Sequence, residues 1–154
     1  MKIFRFISIL LIFTSGCNVS KGVSKEEKEE INIYTIEVGY EVDERASEAD
    51  KFIAEAEAVV GADRTRALAC VKTTVYAYEK IVQYLENQPI PKTKRVKYIH
   101  AAHIDLMKKR LELVKVFEDI WSTYYWYSHK EPSREQLEKG ENIKSDVLLK
   151  EGNT

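Results

Sequence analysis

Two runs of apolar residues at alternating steps of three and four constrain this 154-residue chain more than any other feature. Leu68, Val71, Val75, Tyr78, Val82 and Leu85 make the first, a heptad seam sustained for about five turns of helix. Asp63 can cap its start, and Pro89 and Pro91 stop it near Asn87, because proline lacks the backbone N–H that another turn requires. The second run predicts a helix from about Thr93 to Ser128. Its seam is Val96, Ile99, His103, Leu106, Arg110, Leu113, Phe117, Ile120, Tyr124 and Tyr127. Beside it lies a parallel stripe of Ile104, Met107, Leu111, Val114, Trp121 and Tyr125. Two adjacent stripes are wider than one neighbour can cover, which makes this helix central.

The short connection folds the two helices back antiparallel. At 1.5 Å per residue the second is ~54 Å long against ~37 Å for the first, so its far end needs another cover. Residues 43–60 are the expected cover, with Phe52, Ile53, Ala56, Val59 and Val60 on one face and a bend at Gly61. The fold class is therefore all-α: an elongated antiparallel helical hairpin or three-helix bundle.

The flanks read differently. Residues 18–30, NVSKGVSKEEKEE, hold only two aliphatic side chains and predict a flexible tether, spanning at most roughly 40 Å at ~3.3–3.6 Å per residue. In residues 31–42, INIYTIEVGYEV, Tyr34, Ile36, Val38, Tyr40 and Val42 alternate with more polar positions. That is a strand period with no second strand to pair with, so an extended segment lying on the helices is expected, or else an edge open to another chain. Pro132, Ser133 and Gln136 resemble a capping box that opens a short helix, with Gly140 ending it before a frayed tail. The expected division is 1–16, 17–30, 31–130 and 131–154.

The first sixteen residues carry Lys2 and Arg5, then the apolar run Phe6–Phe13, then Thr14, Ser15 and Gly16. A positive start, a short apolar run and a small-residue site make a secretory signal peptide. The run is too short for a membrane span, which needs ~20 residues. Cys17 follows at once, and TSGC resembles the lipobox of bacterial lipoproteins, with Thr14 standing where an aliphatic residue is usual. The resemblance implies cleavage before Cys17, a diacylglycerol thioether on its sulfur and acylation of its new amino group. Two or more acyl chains hold stably where one does not, each buried CH2 contributing ~0.8 kcal/mol. In enteric members an Asp after the cysteine retains the protein in the inner membrane; Asn18 instead implies the outer membrane.

Without Lys2 and Arg5 the formal charge passes from −1 to −3, which argues against a nucleic-acid partner. Cys70 is the only other cysteine and sits among small and apolar neighbours, as a buried thiol would. His100 and His103 are close enough on a helix to share a metal ion. His129 is too distant to join them and no carboxylate lies at a matching spacing, so neither metal nor cofactor is expected. Arg110, on the seam, is expected to snorkel from its edge. Lys92, Lys94, Arg95 and Lys97 read as a solvated turn.

The strongest surface signal is aromatic. Tyr124, Tyr125, Trp126 and Tyr127 are consecutive and point all around the helix, so no single core can bury all four, and Trp121 precedes them by three residues. They are the candidate partner-binding residues. No catalytic motif has a supporting context, so an enzyme is not expected. The expected function is a lipid-anchored envelope protein that binds another envelope protein, as an assembly or pilotin-like lipoprotein or an exclusion or immunity lipoprotein does. A second copy of the chain is also a candidate partner. The alternative is a periplasmic module binding a small apolar ligand between its aromatic helix ends.

Overall fold

A computed structural model describes residues 22–126 and 133–151. Every described element is helical: α1 (Lys25–Tyr34), a π-helical turn (Thr35–Gly39), α2 (Tyr40–Val59), α3 (Arg64–Glu86), α4 (Lys94–Trp126) and α5 (Arg134–Glu151). α1 and α2 run on through the π turn as one long helix. α2 packs on α3, α3 on α4 and α4 on α5 in antiparallel succession, while α1 lies parallel to the start of α4. The all-α expectation holds.

The α3 seam is buried at all six positions from Leu68 to Leu85. A second row on the same helix, Ala67, Cys70, Thr74 and Ile81, is buried as well, because α3 lies between α2 and α4. Asp63 caps it by accepting from the Arg66 N–H at 2.9 Å. The cap satisfies one of the donors that a helix start leaves unpaired.

Four expectations are corrected. Residues 31–42 are neither extended nor a strand, and helix begins already at Lys25, inside the segment read as a tether. Ser24 opens it, accepting from the Glu27 N–H at 3.1 Å. The wider π turn keeps one face inward, so Tyr34, Val38 and Val42 are buried at steps of four while Ile36 and Tyr40 face out. Three of the five alternating residues are core, and the other two are surface.

Second, Gly140 does not end the last helix, and α5 runs on to Glu151. The capping box is present: the Ser133 N–H donates to Gln136 Oε1 at 2.9 Å and the Gln136 N–H to Ser133 Oγ at 3.2 Å. Gly140 lies mid-helix, buried against Val116 of α4, with Ile143 and Val147 continuing the contact. Third, the distal half of α4 is covered by α5 and not by residues 43–60, which pack on α3. α1 and α5 thus divide one flank of α4, from Thr93 to His103 and from Asp105 to Asp119.

Arg110 lies within the stretch covered by α5 and does not snorkel; it is 8% exposed. Its Nε donates to Glu151 Oε1 of α5 at 2.9 Å, and its NH1 donates to the Tyr78 hydroxyl of α3 at 3.1 Å. Tyr78 in turn donates to Asp50 Oδ1 of α2 at 2.6 Å, and Asp50 Oδ2 lies 3.6 Å from the guanidinium. Burial works against the guanidinium charge, but Tyr78, Glu151 and Asp50 outweigh it and raise the pKa. Asp50 gains less: burial raises its pKa more than the Tyr78 hydrogen bond and the guanidinium lower it. Glu151 is therefore the principal counter-charge and Asp50 the secondary one.

Two outcomes follow. Arg110→Met alone leaves Asp50 and Glu151 without their cation and should cost about 3–5 kcal/mol in urea unfolding, whereas adding Asp50→Leu and Glu151→Leu should recover most of the loss. Gly140→Ala places a Cβ 3.6 Å from Val116 Cγ1, an ordinary contact. It should stabilise by about 0.5–1 kcal/mol, seen as a rise of roughly 2–4 °C in Tm.

Candidate functional site

The long first helix presents two faces of different chemistry. Outward, Ile33, Ile36 and Tyr40 are 48%, 65% and 62% exposed. They recur at steps of three and four, so they form one apolar row along the outside of α1, the π turn and the start of α2. Exposed Glu29 lies one turn before Ile33, and exposed Glu44 one turn after Tyr40. Singly exposed apolar side chains need no explanation, but a row of three with acidic ends is a candidate contact surface.

The π turn that sets this face is braced from behind. Its wider winding leaves the Glu37 carbonyl to accept from the Tyr84 hydroxyl of α3 at 3.1 Å. Arg45 lies over the Tyr84 ring, 4.5 Å from its centre, and pairs with Glu41. At the start of α1, Glu30 accepts from the backbone N–H groups of Lys92 and Thr93, just before α4. The Thr93 and Lys92 hydrogen bonds hold the Glu30 carboxyl below its usual range. Lys92, Lys94, Arg95 and Lys97 are all exposed, as a solvated turn would be.

Inward, Tyr34 meets both histidines of α4. Its hydroxyl lies 3.1 Å from His100 Nδ1 and 3.2 Å from His103 Nδ1. A phenol has one proton to donate, so one imidazole accepts it and the other donates its own Nδ1–H; the two rings must be opposite tautomers. Burial lowers the pKa of both, and His103 is lowered further by the charge of His100. Burial also raises the Tyr34 phenol. Tyr34 lies 66 and 69 residues upstream of its partners. Local spacing along α4 therefore could not reveal it.

Of the aromatic candidates, Trp121 is half-buried and packs against the core. Tyr127 lies outside the described residues, as do the side chains of Tyr124, Tyr125 and Trp126 and the whole of Cys17. Cys70 is buried, and burial pushes its thiol pKa up, so it is not an available nucleophile. An open groove of about 450 Å³ runs between α4 and α5, lined by charged residues such as Lys108, Glu112, Lys115 and Lys139 with Leu111 and Val116 at its floor. Among the described residues no three His, Cys, Asp or Glu side chains gather at one point, and no helix is long and apolar enough to cross a membrane. Comparison with family profiles, with curated protein sequences and with solved structures finds no match to this chain.

The histidine pair gives the fold a definite pH dependence. Each histidine has its folded pKa below the ordinary 6.5, so the unfolded chain takes up protons first as pH falls. Their contribution is intact above about pH 6.5 and is lost progressively below it. Urea titrations from about pH 7.5 to 5.5 should show stability falling in the wild type more steeply than in the His100→Asn/His103→Asn variant.

Proposed function

We propose that the chain is a lipid-anchored protein of the bacterial envelope, held at Cys17, that works by docking another envelope protein. The observation that carries the docking is the outward row Ile33, Ile36 and Tyr40 on a helix whose opposite face is core. Helix faces that keep apolar side chains in water after folding are the usual material of partner surfaces. The acidic ends at Glu29 and Glu44 favour a partner that presents an apolar ridge between basic residues. The aromatic run Trp121, Tyr124, Tyr125, Trp126 and Tyr127 is a second candidate contact, read from the sequence.

The anchor rests on TSGC and the signal-peptide pattern before it. It accords with the position of the row. Only eight steps separate Cys17 from Lys25, at most about 29 Å of extended chain at ~3.6 Å per residue, so α1 would stand close to the bilayer. The placement in the outer membrane follows from Asn18.

Both parts can be tested in producing cells. Cys17→Ser should abolish acyl labelling and move the chain from the membrane to the soluble fraction; an unlabelled wild-type chain with an intact Met1 would remove the anchor. A photo-crosslinking residue at position 36 or 40 should yield a discrete adduct that Ile33→Glu abolishes. No adduct should form from the exposed position 72 on α3. Equal labelling from all three positions would remove the docking reading.

A further inference from the structure

We propose that Tyr34 Oη, His100 Nδ1 and His103 Nδ1 form a binding site for one divalent transition-metal ion of the zinc or copper class. The two histidines lie three residues apart on α4, and the third donor comes from the packed face of α1, so the site exists only when α1 is docked. The phenol oxygen stands 3.1 and 3.2 Å from the two nitrogens. An ion at the usual ~2.0–2.1 Å from each donor would subtend about 100° between oxygen and either nitrogen, between the octahedral and tetrahedral angles. The phenol oxygen already lies near ligand spacing from each nitrogen.

The donor set chooses the ion. Two imidazoles and a phenolate suit the borderline ions, copper(II) and zinc, whereas magnesium and calcium prefer all-oxygen sites. Each Nδ1 must offer its lone pair to the ion, so the ring that donates its Nδ1–H to Tyr34 in the free protein carries that proton on Nε2 once the ion is bound. Binding breaks the Tyr34 O–H bond. The proton leaves to solvent, the oxygen pair goes to the metal, and nothing is oxidised or reduced. His100 is only half-buried, which gives a path inward. This inference is independent of the docking proposal, since none of the three side chains belongs to the outward row.

The test uses the purified full chain without a histidine tag. Copper(II) chloride titration should saturate at one equivalent and produce a visible phenolate-to-copper charge-transfer band. Tyr34→Phe keeps the ring in the core and should remove the band while weakening binding at least about tenfold, as should His103→Asn. Zinc chloride should raise the wild-type Tm and release a proton in weakly buffered solution. The absence of saturable uptake by the wild type would overturn the site. So would unchanged affinity in Tyr34→Phe and His103→Asn, since the ion would then sit elsewhere, for example at His129. A Tyr34→Phe protein that keeps its charge-transfer band would equally overturn it.

Discussion

A single buried cation organises this bundle. Arg110 carries its charge into the contact region of α4 and finds its partners on three other helices: Asp50 on α2, Tyr78 on α3 and Glu151 on α5. A charge removed from water is tolerated only when its hydrogen-bonding capacity is met, so the four groups must arrive together. The arrangement discriminates between registers in a way that an apolar contact does not. A one-turn slip of α5 would keep Ile143 and Val147 near apolar surface but would separate Glu151 from Arg110. For α5, which buries few large side chains, this polar key is a substantial part of what fixes its place.

From that junction the rest of the architecture follows along α4. α5 occupies the flank from Asp105 to Asp119, Arg110 included, and α1 occupies the flank up to His103. Because α1 and α2 form one helix, α1 can reach α4 only if its inward face keeps phase from Tyr34 through Val42 while α2 follows α3. The π turn supplies that phase, and Tyr84 takes up the carbonyl it leaves over. The outward row of Ile33, Ile36 and Tyr40 is the other side of the same adjustment.

How much of this could be read in the chain depended on distance along it. The α3 seam was legible in full, since one uninterrupted period of three and four admits one face. Residues 31–42 misled because a period of two contains a period of four: every second member of the alternating set lies on one helical face, and nothing local says which face is packed. Gly140 misled for a similar reason. Glycine is common just past a helix end, but here Gly140 lies mid-helix and buried against Val116, and only the position of α4 shows it. Arg110 and the histidines were noticed as residues but not understood, since Glu151 lies 41 residues downstream of Arg110 and Tyr34 66 residues upstream of His100. Of the aromatic candidates only Trp121 has a described side chain, half-buried, whereas the outward row was hidden inside the segment read as extended.

The π turn also behaves as an angular setting for everything upstream of it. Each residue of α-helix advances the chain by about 100°. A one-residue deletion between Thr35 and Gly39 that restored plain α-helical winding would swing the first helix by that angle about its own axis. Tyr34 would leave the imidazoles and the outward row would turn sideways, while α2 to α5 kept their contacts. Insertions and deletions in these five positions are therefore a route by which related chains could re-aim their leading helix without rebuilding the body beneath it.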